Sequence, residues 1–154
     1  MDFPGVKPCY SRGIAWCAVK NATMLCHAWL FEEHGELLNL FEKFKELKTR
    51  EDQANSLELA EHASTVMNTL DEGIKGLDNL DAFFEYLHQV GASHRRIPGF
   101  KVEYFWKIEK PFLTAVETTL GDRYTENVEN IYKITIKFII ETLIKGYDNA
   151  NATT

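Results

Sequence analysis

The sequence predicts an all-α domain, and three observations carry that prediction. Apolar residues recur at steps of three and four through Leu59, His62, Ala63, Val66, Met67, Leu70 and Ile74, the period of a helix that buries one face. A second stretch does the same through Leu80, Phe83, Phe84, Leu87 and Val90 to His94. Both runs are bracketed by helix punctuation, with small polar residues before them and glycine or proline after.

Taken in order, residues 1–10, with Pro4 and Pro8, read as an irregular arm. A single domain is expected over 11–147, followed by a flexible tail at 148–154. Trp16 to Phe31 is apolar-rich and breaks at Glu32-Glu-His-Gly35, after which Leu37, Leu38, Leu40, Phe41 and Phe44 cluster. Thr49 with Asp52, or Asn55-Ser56, can cap the helix that carries His62. Gly73 and Gly76 are expected to close that helix. Asp78-Asn-Leu-Asp81 then opens the next as a variant capping box. Ile97-Pro98-Gly99 ends it, because proline cannot continue a helix and disfavours helical geometry in the residue before it.

Two further helices are predicted, from about Phe100 to Leu120 and from Thr125 to about Tyr147. Pro111 inside the first should kink it. In the second, Lys133-Ile-Thr-Ile-Lys-Phe-Ile-Ile alternates and is β-branched, a strand-like pattern. Length and the set Val128, Ile131, Tyr132, Ile136, Ile139 and Leu143 favour helix.

Composition narrows the function classes. The chain has 154 residues, 45% hydrophobic and 26% charged, with net charge −6. That suits one buried core and lacks the basic stripe that nucleic acid demands. There is no apolar run of roughly 20 residues to span a bilayer, and Met1-Asp-Phe-Pro-Gly lacks the blocks of a signal peptide. A cytoplasmic location without membrane or nucleic-acid partners is therefore expected. Cys9, Cys17 and Cys26 form an odd, clustered set without CxxC spacing, which reads as reduced thiols. The sequons at Asn21 and Asn151 would be unused there.

His62 and His94 each sit on the apolar stripe of a long helix. Burying two imidazoles in one core costs desolvation unless each finds a partner. Haem iron is one such partner; the close ligand pairs of a zinc site are missing. A pair of hydrogen-bonded core histidines fits the pattern as well.

Several segments, in order, resemble the globin family, its neuroglobin and myoglobin-like members in particular. Leu30-Phe31 followed by Phe41 is similar to the junction of helices B and C. Phe41-Glu-Lys-Phe44-Lys-Glu-Leu-Lys-Thr is similar to the CD corner. His62 follows Phe41 by 21 residues, as the distal histidine of the family does. Tyr86-Leu-x-x-Val-Gly-x-x-His94-Arg resembles the segment ending in the proximal histidine, and Arg96-Ile-Pro-Gly-Phe-Lys-Val-Glu-Tyr-Phe105 the start of helix G.

The resemblance implies a globin fold of about eight helices packed three over three around haem b, iron protoporphyrin IX. It implies His94 as the proximal iron ligand. His62 would be distal, either donating to bound dioxygen or ligating iron itself. Phe41 and Phe44 would wedge the porphyrin and Val66 would line the pocket. Ile97 is a further haem contact, and Lys43, Arg95 and Arg96 are candidates for the propionates. His34, near the start of helix C, is expected to be exposed, and His88 lies off the face of His94.

The same register puts His27 at the B-helix position facing the distal pocket, a possible second distal ligand. A shift of one residue would put Cys26 there instead. Trp16 resembles the helix A tryptophan, and Gly35 stands where helix C usually begins with proline. The function implied is reversible binding of dioxygen and other diatomic ligands, with five- or six-coordinate resting iron both open. The alternatives are a haem enzyme acting on nitric oxide, nitrite or peroxide with an external reductase, and a haem-based redox or gas sensor.

Overall fold

The computed structural model describes residues 26–75 and 79–150, and within them every regular element is a helix. Trp16, Cys9, Cys17, both sequons and the N-terminal arm lie outside these residues. Residues 26–33 form α1. Two 3-10 turns, Gly35–Leu40 and Glu42–Phe44, lead to α2 (Arg50–Asn55), α3 (Leu57–Lys75) and α4 (Leu80–Ser93). A 3-10 turn at His94–Arg96 follows, then a longer one at Val102–Ile108 that runs into α5 (Glu109–Leu120). A last turn, Gly121–Arg123, precedes α6 (Glu126–Asn149). No described helix is long and apolar enough to cross a membrane.

Both capping signals before His62 are used, by different helices. Thr49 Oγ1 accepts from the Asp52 N–H and Asp52 Oδ2 accepts from the Thr49 N–H, each at 3.0 Å, closing a capping box on α2. Ser56 Oγ accepts from the Leu59 N–H at 3.1 Å and starts α3. Asn79 caps α4, its Oδ1 accepting from the Ala82 N–H at 3.2 Å; Gly76 and Asp78 lie outside the described residues. Gly73 does not close α3, which runs through it to Lys75.

The break after α4 is a tight turn. The Phe100 N–H donates to the Ile97 carbonyl at 3.1 Å. Gly99 takes φ +79° behind Pro98, the residue order of a type II turn.

The later helices depart from expectation in three ways. Phe100 to Leu120 is a 3-10 segment followed by an α-helix that starts at Glu109. Pro111 therefore falls in the first turn of α5, where its missing N–H is not needed, and no kink is called for. The β-branched run stays helical, but α6 buries Ile136, Ile140, Thr142 and Gly146 while Ile131 is exposed. Asp148 and Asn149 belong to α6 rather than to a tail.

The core has two main clusters. Leu30, Phe31, Leu37, Leu38, Phe44 and Leu59 gather where α1, the 3-10 turns and α3 meet. Phe105, Ile136 and Ile140 gather between α5 and α6, with Phe100, Leu143 and Tyr147 against them. Ile108 packs against both. The two clusters carry the walls that hold His62 and His94.

Among the described residues α4 and α6 form the most extensive helix pair, and glycines permit it. A Cβ on Gly91 would lie 2.0 Å from the Leu143 carbonyl oxygen, and one on Gly146 would lie 2.2 Å from that of His88. The backbones touch where no side chain fits.

Candidate functional site

His94 caps the end of α4, and the chain returning through the Pro98-Gly99 turn closes over it. Its ring packs at 5.1 Å from Phe100 and 4.9 Å from Phe105. Nδ1 lies 2.8 Å from the Val90 carbonyl oxygen, one helical turn back. A carbonyl can only accept, so Nδ1 carries the proton and Nε2 keeps its lone pair. Burial lowers the pKa of His94, and the Val90 carbonyl partly opposes that shift. The ring is thus oriented, neutral and ready to ligate through Nε2.

His62 stands on α3 in the other cluster. Phe41 and Phe44 flank its ring at 5.1 and 5.7 Å, and His27 meets it edge-on at 5.4 Å. Burial pushes its pKa down to about 4, with the charges of His27 and His94 acting in the same direction. His62 is therefore within electrostatic reach of His94 from the opposite cluster. Val66 follows on the same face and is half-buried.

α1 places Cys26 and His27 on different sides. Cys26 packs with Ala115 of α5, and burial pushes its thiol up to about 12, the state of an unreactive cysteine. His27 faces Phe31 and His62.

The other site candidates follow His94 in the chain or lie in the Glu42–Phe44 turn. Lys43 and Arg96 are exposed, and Ile97 is half-buried. Arg95 turns to the end of α6, where Nη1 donates to the Tyr147 carbonyl at 3.0 Å and the guanidinium lies 4.8 Å over the Tyr147 ring. His34 is half-buried rather than exposed, with Nδ1 3.2 Å from Lys107 Nζ. The backbone of His88 lies under Gly146, and its Nε2 is buried without a hydrogen-bond partner.

Phe100, Phe105 and Val90 were not picked out by sequence as parts of the site. The Val90 carbonyl was within reach of such reasoning, since a helix places the carbonyl of residue i−4 beside a side chain at its end.

The globin family model matches residues 26–143. The chain belongs to the globin family. Neuroglobin of Tetraodon nigroviridis is 27% identical over 118 residues, 77% of this chain and 74% of that protein. Neuroglobin-1 of Oncorhynchus mykiss is 26% identical over the same shares. The crystal structure of a hexacoordinated heme protein from an anhydrobiotic tardigrade at pH 4 matches with TM-score 0.80 at 36% identity. It covers 84% of this chain and 83% of that one.

Haem is the group that a globin fold implies, and the donor set fits it. Among the described residues no group of three histidines, cysteines or carboxylates could hold a metal by itself. Two partly buried imidazoles, each with a lowered pKa, are donors of the type that haem iron takes.

The low pKa of His62 has a measurable consequence in the haem-free globin. Folded His62 gains its proton only near 4, against 6.5 for an unperturbed histidine. Between those values the unfolded chain binds more protons, so stability rises with pH across that window. Acidification from pH 7 toward 4 should therefore destabilise the apoprotein, and His62→Leu should flatten the loss. Urea unfolding at several pH values checks this, and identical slopes in both proteins would contradict it.

Proposed function

We propose that this globin holds haem b between His94, its proximal ligand, and His62 on the distal side, and binds dioxygen and other diatomic ligands there reversibly. The observation that carries this reading is the pairing of a tautomer-fixed His94, Nδ1 donating to Val90, with a neutral His62 within its electrostatic reach. When bound, haem iron supplies the coordination position at which a diatomic molecule binds.

The chain's own residues do the rest. Val90, Phe100 and Phe105 aim His94. Phe41 and Phe44 keep the distal wall apolar, which excludes water and slows oxidation, and Val66 lines the pocket above. With haem bound, His62 would compete with an incoming diatomic molecule for the iron and would donate a hydrogen bond to it once it is held. The hexacoordination of the tardigrade protein supports this role of His62, since two uncharged imidazoles are what such a state requires.

Rapid mixing of the reduced protein with carbon monoxide tests this. In the wild type, binding should saturate with ligand concentration, limited by departure of His62. In His62→Leu it should be linear in concentration and faster by at least about tenfold, the effect of removing a competing state favoured by roughly 1.4 kcal/mol. Equal rates in the two proteins would overturn the assignment.

A further inference from the structure

We propose that His27 is the positioning residue for His62, not a third iron ligand, and that it governs how readily His62 yields to an incoming ligand. This rests on the reading of His62 as the distal residue. His27 lies on the face of α1 that also carries Leu30 and Phe31, and it is only 3% exposed. His62 and His94 are both more open than that, as groups lining a cleft for a prosthetic group should be. His27 is thus part of the wall.

The wall is a closed circuit of four rings. His27 meets Phe31 at 6.1 Å, Phe31 meets Phe44 at 6.4 Å, Phe44 meets His62 at 5.7 Å, and His62 returns to His27 at 5.4 Å. The circuit joins α1, the Glu42–Phe44 turn and α3. At 88° the planes of His27 and His62 are perpendicular, an arrangement that aromatic rings favour over face-to-face stacking. Phe41 closes the far side of His62 at 5.1 Å.

A ring held on three sides keeps one orientation, because interiors pack too densely for a side chain to turn without room. His27 supplies one of those three sides from the most buried position. For His27 itself to ligate, it would have to leave the circuit and displace the ring packed against it.

Two variants separate the roles, read in the haem-reconstituted protein by the visible spectrum and by carbon monoxide association. His27→Phe keeps a ring of similar shape in the circuit. It should preserve the low-spin two-histidine spectrum and leave association within about twofold of wild type, under roughly 0.4 kcal/mol. His27→Leu fills space but removes the ring, so His62 should loosen and association should accelerate by at least about tenfold.

Loss of the low-spin spectrum in His27→Phe would make His27 a ligand and overturn the proposal. An unchanged association rate in a folded His27→Leu would overturn it too. If His27→Leu does not fold, the His27→Phe spectrum decides alone. A wild type that takes up no haem, or whose iron is high-spin, would instead refute the reading of His62, and this inference would fall with it.

Discussion

Gly91→Ala should sharply destabilise this globin. The added methyl would lie 2.0 Å from the Leu143 carbonyl oxygen and 2.8 Å from its carbon, far inside van der Waals contact. Its neighbour is the backbone of α6, which cannot swing aside as a side chain can. Relief would require α4 and α6 to separate along the largest helix interface among the described residues.

Overpacking a core typically costs about 1–3 kcal/mol, and a rigid neighbour places this substitution at or above the top of that range. For a chain of this size each kcal/mol lowers Tm by roughly 2–4 °C. A loss of at least about 6 °C is therefore expected in thermal unfolding followed by circular dichroism. Gly146→Ala should behave alike, since its methyl would meet the His88 carbonyl oxygen at 2.2 Å. A change within about 2 °C in either variant, less than 1 kcal/mol at this size, would mean that the crossing is looser than described. Because α4 carries His94, a variant that survives should also show altered ligation.

His94→Ala should abolish stable haem retention while leaving the helical fold in place. His94 is held in a fixed tautomer by a short hydrogen bond to a backbone carbonyl. Losing an outer-shell partner of a metal ligand typically costs about 10–100-fold in affinity. Loss of the ligand itself should exceed the upper figure. Reconstituted His94→Ala passed through a desalting column should lose its Soret absorbance, whereas wild type and His62→Leu keep theirs. The space left between Phe100 and Phe105 should admit free imidazole, and imidazole in the buffer should restore part of the band. Retention equal to wild type would remove His94 from the proximal role.

What could be read from the sequence was whatever local chemistry decides. Thr49, Ser56, Asn79 and Thr125 each cap a helix through their own side chain and a backbone N–H three residues on. Such signals do not depend on the rest of the fold. Pro98-Gly99 is equally local, since a type II turn asks for proline and then a residue with positive φ. Apolar periodicity on α3 and α4 put His62 and His94 on inward faces, and both rings are partly buried. The family resemblance added the expectation of what stands between them.

The rest depends on partners far away in sequence. Which stripe of α6 is buried is set by where α4 and α5 lie, so Ile131 fits the helical pattern and is still exposed. Pro111 promised a kink only while the helix was taken to begin near Phe100. Starting α5 at Glu109 removes the conflict. Arg95 meets a carbonyl and a tyrosine ring at the end of α6, a contact between residues far apart in sequence. Gly91 and Gly146 look like ordinary helix-weakening glycines until two backbones are seen to meet across them. The spacing from Phe41 puts His27 on the distal side; whether it faces the cleft or stands behind His62 depends on a contact between α1 and α3.

Titration of the apoprotein with ferric haem, followed in the Soret and visible regions, decides whether His94 and His62 hold haem. A Soret band that saturates at one haem per chain is expected, with a low-spin visible spectrum that turns high-spin in His62→Leu. A chain that develops no such band, or whose spectrum is the same with and without the His62 and His94 imidazoles, would contradict it.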